Sequence, residues 1–531
     1  MAWIRQFLNR LAARPRWCAL LLGVVSATGF QPLGAWPLAL LGVAGLIALI
    51  ARAPTGRQAA LVGWLFGLGH FAAGNSWIAT AFTYQAQMPA WLGWIAVLGI
   101  ACFLSIYPAL AAGGAWAIAR AGNSERKQPG ALVFAFAACW IVTEWLRSWV
   151  FTGFAWNPLG VVALGGFSRA GLAVLVPWLG TYALSGLVAL LAGSWWLAAS
   201  RAQPGWRSAV LSIGPALLFV LPTGGGGGEG TLAYTLIQPD VRQDDLNNAA
   251  LFEAQFASAA QLSAARNPGE TRVVFWPESG LPDYLREGYP AHYYQNSTYA
   301  ADSRLARARL GRVAGPGGLL LTGAVDLEFR GGTAVGARNA VTVVDQAGAI
   351  RSSYAKAHLV PGGEYLPLRP LLEPLGAARL VAGSIDFWPG PGPRTLELGP
   401  WGKAGVQICY EIIFSGQVAD RANRPDYIFN PSNDGWFGSW GPPQHLAQAR
   451  LRAIEEGLPV LRSTTTGISA VIDADGIVRQ HLPRLTAGRL DGLIPPAHPP
   501  TLFAKLGNLL PLGWALLLLV LSMVATRPRR S

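Results

Sequence analysis

Long apolar runs constrain this chain more than any other feature of its sequence. Runs near residues 17–32, 36–51, 59–82, 91–119, 130–149, 172–199, 207–222 and 507–525 approach the length of about 20 residues that a membrane-spanning helix needs. The first and seventh are the shortest and are interrupted by Gly or Pro. Only 13% of residues are charged, against about 25% in soluble proteins, so much of the chain belongs in lipid. The formal charge of +13 would suggest nucleic acid in a soluble protein. Here the arginines gather at the ends of apolar runs, and no basic stripe interleaved with aromatics marks a nucleic-acid surface.

Arginine placement sets the expected topology. Arg5, Arg10, Arg14 and Arg16 precede the first run, and Arg52 and Arg57 follow the second. Arg120, Arg126 and Lys127 follow the fourth, Arg201 and Arg207 lie between the sixth and seventh, and Arg527, Arg529 and Arg530 follow the eighth. The short loops 33–35 and 83–90 carry no Lys or Arg. This alternation predicts cytoplasmic termini and places 223–506 on the opposite side of the membrane. The first run is read as a permanent anchor, because Val25-Ser26-Ala27 is a poor cleavage site and its removal would invert every later loop. Glu144 and Arg147 lie three apart in the fifth run. They are either an intrahelical ion pair or a polar foothold for a lipid headgroup or the soluble domain. The aromatic segment from Phe151 to Pro158 is expected at the membrane interface.

Past the Gly-rich connector at 222–230 the pattern changes. Short β-like runs, Leu232–Gln238, Arg272–Trp276, Gly318–Val325, Ala340–Asp345, Ala404–Ile408, Tyr427–Asn430 and Ser469–Asp473, alternate with helix-like stretches at 245–266, 299–313 and 441–457. That alternation predicts an α/β domain with helix-covered sheets. Asp475-Gly476 reads as a hairpin turn. The expected division is an N-terminal membrane domain over 1–222 with seven spans, a catalytic domain over 231–495, and a C-terminal span at 507–525.

Of the four cysteines only Cys409 lies outside the apolar runs. It has no cysteine neighbour to pair with or to share a metal. Three ionisable groups stand where β-like runs end: Glu278 in Trp276-Pro-Glu-Ser279, Lys356 in Tyr354-Ala-Lys-Ala-His358, and Cys409 itself. Glu364 follows in a Pro-Gly-Gly loop. Together they supply the parts of nucleophilic acyl transfer: a thiolate to attack a carbonyl, a carboxylate to move the proton, and an ammonium to stabilise the oxyanion. The lysine is also expected to depress the Cys409 pKa. The plain alternative is three surface charges beside a core cysteine.

Trp-Pro-Glu-Ser, Tyr-x-Lys-x-His-Leu-Val-Pro-x-Gly-Glu-Tyr and Ile-Cys-Tyr-Glu, in that order, resemble the nitrilase superfamily, whose members carry a Glu-Lys-Cys triad on an αββα sandwich. With eight spans around such a domain, the chain resembles the apolipoprotein N-acyltransferase family of Gram-negative bacteria. Thr143-Glu-Trp-Leu-Arg147, Ser432-Asn-Asp-Gly-Trp-Phe-Gly438, Gln444-His445 and Leu461-Arg-Ser-Thr464 add to the likeness. The resemblance implies a polytopic α-helical membrane domain plus an extracytoplasmic nitrilase-like αββα sandwich. It implies Glu278 as general base, Lys356 as oxyanion partner and Cys409 as nucleophile, supported by Glu364, Tyr410 and Glu411. The aromatics Trp436, Phe437 and Trp440 either line a lipid path or pack in the core. The implied reaction moves an acyl chain from a phospholipid, preferably phosphatidylethanolamine, through a Cys409 thioester to the free α-amino group of a diacylglyceryl-cysteine that begins an apolipoprotein. The implied location is the bacterial inner membrane with the catalytic domain periplasmic, and no cofactor or metal is expected. One departure stands out: Leu246 and Asn247 occupy positions where the family often has Lys-Trp. The rival readings are a membrane-anchored nitrilase-type amidase acting on a small amide, and a polytopic scaffold or transporter with a non-catalytic domain. A Cys409 dyad with His358 or His445 is disfavoured because Glu278 and Lys356 already fill both roles.

Overall fold

A computed structural model describes residues 14–84, 89–121, 129–200, 228–372 and 385–526, with a few isolated positions between them. The chain divides into two compact units. The first comprises Met1–Ala79, Trp91–Gly224 and Leu502–Ser531, the second Thr80–Ala90 and Gly225–Thr501.

The first unit is helical. Among the described residues, Leu92–Arg120, Pro129–Arg147, Thr181–Ala199 and Leu509–Thr526 are long and apolar enough to cross a membrane. Pro15–Ala27 and Trp36–Arg52 are apolar but shorter, and Gly56–Gly74 is a further helix of 19 residues. Close packing depends on missing side chains: a Cβ on Gly69 would lie 2.1 Å from the Leu20 carbonyl oxygen, and one on Gly23 would lie 2.0 Å from that of Phe66. The run expected to span 172–199 is divided at Gly180, φ +74°: a 3-10 turn Leu172–Leu175 and a short α-helix Val176–Leu179, with Pro177 in its first turn, precede the long helix Thr181–Ala199. The run expected at 207–222 lies largely outside the described residues.

Glu144 and Arg147 are both buried and serve the backbone that follows their helix. Glu144 Oε1 accepts from Trp140 Nε1 at 2.9 Å and from the Leu159 amide at 2.7 Å. Arg147 Nη1 donates to the carbonyls of Phe154 and Trp156 at 2.9 and 2.8 Å. These bonds fold the loop onto the bundle, so the aromatic segment divides: Phe151 is 84% exposed while Trp156 is buried.

In the second unit two six-stranded sheets lie face to face. The first runs in the order β12-β1-β2-β3-β4-β5. Its strands are β1 (Ala233–Gln238), β2 (Val273–Phe275), β3 (Leu319–Arg330), β4 (Thr333–Asp345), β5 (Ile350–Ala355) and β12 (Gly488–Leu493). The second runs β11-β10-β9-β8-β7-β6. It contains β6 (Thr395–Glu397), β7 (Lys403–Val406), β8 (Tyr427–Ser432), β9 (Val460–Thr464), β10 (Ser469–Ile472) and β11 (Val478–Leu482). Strands β1, β2 and β3 are parallel, as are β7, β8 and β9, and the outer strands close each sheet in antiparallel fashion. The buried strand β2, Val-Val-Phe, reads as an unbroken apolar run, as parallel strands covered on both faces require.

The sheets meet through Phe275 and Phe429, with ring centroids 4.9 Å apart, and through Ser463 Oγ, which donates to the Ile237 carbonyl at 2.7 Å. On the outer face of the first sheet Leu285, Ala306 and Leu310 pack with Val274 and Trp276, bringing in the helix Ser303–Ala314. The Asp475-Gly476 turn joins antiparallel β10 and β11, with Gly476 at φ +74°. The architecture is the nitrilase-like sandwich expected from the motifs.

Candidate active site

Each strand-end motif reaches the same place by a short step off its strand. The Trp276 amide still bonds to the Leu321 carbonyl at 2.9 Å, and two residues later Glu278 turns inward. Lys356 is the first residue past β5, its amide fixed to the Asn339 carbonyl at 2.8 Å. The strand carrying Cys409 ends at Val406, three residues before the thiol, and Cys409 opens a tight helical turn to Ile413. Active groups at the carboxyl ends of parallel strands are the usual arrangement of α/β folds, because the rigid ladder holds the loop roots.

The Lys356 ammonium, 1% exposed, lies 3.3 Å from Glu278 Oε1 and 3.0 Å from Glu364 Oε2. Burial pulls its pKa down, yet Glu278 and Glu364 outweigh burial and hold it above its ordinary value. Asn339 Nδ2 links the two carboxylates, donating to Glu278 Oε1 at 2.7 Å and to Glu364 Oε1 at 2.9 Å. The Asn433 amide holds Glu278 Oε2 at 2.8 Å, and the Val360 amide holds Glu364 Oε2 at 2.8 Å. Buried charges in this setting are paired and hydrogen-bonded, as the cost of desolvating them demands.

Burial pushes the Cys409 thiol well above its ordinary value, and the charges of Glu278 and Asp434 add to that. Lys356 and Arg462 pull the other way and are outweighed. The expected downward pull of the lysine on Cys409 is present, and burial outweighs it. The resting group is a thiol that needs a base beside it.

Glu411 ties the roots of two loops together. Its Oε1 accepts from Tyr354 Oη at 2.8 Å, the Ala357 amide at 2.7 Å and the His358 amide at 3.2 Å, and its Oε2 accepts from the Ile408 amide at 2.8 Å. Burial nonetheless pushes its carboxyl up to about 7. Tyr410 is buried with its ring edge-on to Phe414, 5.2 Å between centroids. Trp436 lies in the turn after β8, half-buried, where Tyr84 meets it edge-on at 5.9 Å. Trp440 is exposed and Phe437 buried.

Sequence reasoning missed Asn339 and Gln243. Gln243 Oε1 accepts from Asn433 Nδ2 at 2.9 Å, so the loop after β1 touches the residue that holds Glu278. The Leu246-Asn247 departure falls three residues farther along this loop. A polar residue in the middle of a long strand, as Asn339 is in β4, was the available signal.

Cys409, Asp434 and His445 bring one potential metal-ligand atom each within 4.8 Å of one another. The His445 and Asp434 atoms are already engaged. His445 Nε2 is 3.0 Å from the Cys409 carbonyl, and Asp434 accepts from Arg462 Nη2 at 2.9 and 2.7 Å. A guanidinium at that position disfavours a cation.

Residues 22–194 match the apolipoprotein N-acyltransferase N-terminal domain family, and residues 235–497 match the carbon-nitrogen hydrolase family. The apolipoprotein N-acyltransferase of Bradyrhizobium diazoefficiens is 36% identical, over 92% of this chain and 91% of that protein. The chain belongs to the apolipoprotein N-acyltransferase family. The relatives of that name from Rhodopseudomonas palustris and Caulobacter vibrioides are each 32% identical, covering 96% and 100% of this chain and 95% and 97% of theirs. An amidase from Nesterenkonia sp. aligns at TM-score 0.34 and 18% identity, over 51% of this chain and 94% of its own. Membership makes this chain an acyltransferase of the nitrilase superfamily and a membrane protein, in keeping with its apolar helices.

Proposed function

We propose that this family member transfers an acyl chain from phosphatidylethanolamine to the α-amino group of the diacylglyceryl-cysteine at the start of an apolipoprotein. The reading includes the inner membrane, cytoplasmic termini and a periplasmic catalytic unit, motivated by the alternation of arginines along the chain. The observation that supports the chemistry is the buried lysine held between Glu278 and Glu364, with Glu411 joining the backbone beside Lys356 to the backbone beside Cys409.

In the first half-reaction Glu278 takes the thiol proton as Cys409 Sγ bonds to the ester carbonyl carbon. The Lys356 ammonium stabilises the oxyanion. The tetrahedral centre collapses, the C–O bond to the glycerol breaks, and the lysophospholipid leaves with the proton returned by Glu278. A thioester remains. In the second, the acceptor amine attacks the thioester carbonyl, gives a proton to Glu278, and expels the sulfur, which recovers that proton as a thiol. The product is an amide, and the two steps are ping-pong.

Intact-mass measurement of the purified protein with phosphatidylethanolamine in mixed micelles tests this. The wild type gains one acyl mass, a diacylated lipopeptide discharges it, and Cys409→Ala gains nothing while remaining membrane-inserted. Normal lipoprotein N-acylation by Cys409→Ala refutes the mechanism. Absence of an adduct together with hydrolysis of small amides supports the amidase instead.

A further inference from the structure

Cys409 has φ +50°, in the left-handed region that a residue with a Cβ adopts only under strain. Something must hold it there, and its carbonyl oxygen has a buried partner. His445, in the second turn of the helix Gly441–Glu456, is fully buried and brings Nε2 to 3.0 Å from the Cys409 carbonyl oxygen. A carbonyl can only accept, so the network assigns the ring hydrogen to Nε2. The other ring nitrogen, Nδ1, lies 2.9 Å from Arg462 Nη2, a donor, and 3.0 Å from Asp434 Oδ1. With one hydrogen on the ring, Nδ1 accepts one hydrogen of Arg462 Nη2, whose other hydrogen goes to Asp434 Oδ2 at 2.7 Å. Burial and the Arg462 charge, outweighing Asp434, keep the imidazole neutral. Phe437 closes the ring edge, its centroid 5.6 Å away.

We infer that His445 is a positioning residue. Its neutral Nε2–H holds the Cys409 carbonyl and thereby the left-handed backbone that presents the thiol, and the Arg462–Asp434 pair fixes the tautomer that makes this possible. The inference rests on Cys409 being the nucleophile, and it gives His445 no proton to exchange during the reaction.

The test compares His445→Phe, which keeps a ring without the donor, with His445→Gln, whose side-chain amide places an N–H near the position of Nε2. The adduct-forming rate with phosphatidylethanolamine in mixed micelles is measured between pH 6 and 9. It is counted per molecule that eventually acylates, so that losses in folding yield do not enter. Leaving a buried carbonyl without its donor predicts a fall of about ten- to a hundredfold in the saturated rate of His445→Phe. Its half-saturating lipid concentration should stay within about threefold. His445→Gln should recover most of the rate and parallel the wild-type pH profile. Wild-type rates in His445→Phe overturn the inference. So does a His445→Gln as slow as His445→Phe, or one that loses a limb of the pH profile, because the ring would then be exchanging protons. A wild type that forms no adduct overturns the nucleophile assignment, whereas a normal wild type with unaffected variants overturns this inference alone.

Discussion

Glu364→Gln is the most incisive change at this site, because the charge it removes is replaced by a group of nearly the same shape. Glu364 Oε1 accepts from Lys356 and Asn339 at 3.1 and 2.9 Å, and Oε2 accepts from the Val360 amide at 2.8 Å. A glutamine has one accepting oxygen. Whichever way its amide turns, the NH2 faces Lys356, which reaches both oxygens, together with either the Val360 N–H or Asn339 Nδ2. A buried donor set against another donor costs about 1–3 kcal/mol, and the change from a charge-assisted to a neutral bond with Lys356 costs about 1 kcal/mol more. The sum, about 2–4 kcal/mol, corresponds to about 30- to 1000-fold if it falls on the acylation step. It should fall there, since Lys356 and Asn339 would both lean on Glu278, the carboxylate that must accept the thiol proton. The assay is single-turnover acyl-adduct formation followed by intact mass, at matched amounts of folded protein. A Glu364→Gln rate within about threefold of wild type refutes the idea that the lysine must be shared between two carboxylates.

Two further outcomes follow from the same geometry. Because burial and neighbouring carboxylates raise the Cys409 thiol, alkylation by iodoacetamide should still be climbing between pH 8 and 9; a plateau reached below pH 8 would show a resting thiolate. In Gly467→Ala the new Cβ would lie 2.4 Å from Asp434 Oδ2 and 2.6 Å from Asp434 Cβ, so overpacking should cost about 1–3 kcal/mol and slow adduct formation by disturbing the Arg462–Asp434 pair. Unchanged thermal unfolding and an unchanged rate would count against that coupling.

The sequence made the strand-end chemistry legible because reactive side chains and the strands that deliver them are local in the chain. Glu278, Lys356 and Cys409 were each readable from the apolar run before them. What stayed hidden is the set of side chains that meet only after the sheets pair. Asn339 stands 61 residues from Glu278, and Asn433 stands 155 residues from it. No periodicity encodes such a meeting. The sign of the Lys356 effect on Cys409 was right, but its outcome depended on burial, which a sequence does not state. The same holds for the helical runs. Hydropathy marks 172–199 as one segment, while the positive φ of Gly180 divides it into a short helix and the long one that begins at Thr181.

The pairing of β1 with β12 has a consequence for how such a chain can be assembled. Ala233 lies opposite Leu493, so the first and last strands of the sandwich are hydrogen-bonded neighbours in one sheet. Entry and exit of the polypeptide are a single strand spacing apart, about 5 Å. A unit closed in this way is a cassette. It can be inserted between two host segments without forcing them apart, provided that Thr80–Ala90, which belongs to the same compact unit, is kept matched to it. Grafting the region from β1 to β12 of a relative, together with its counterpart of Thr80–Ala90, keeps the two main junctions on neighbouring strands at one side of the sheet.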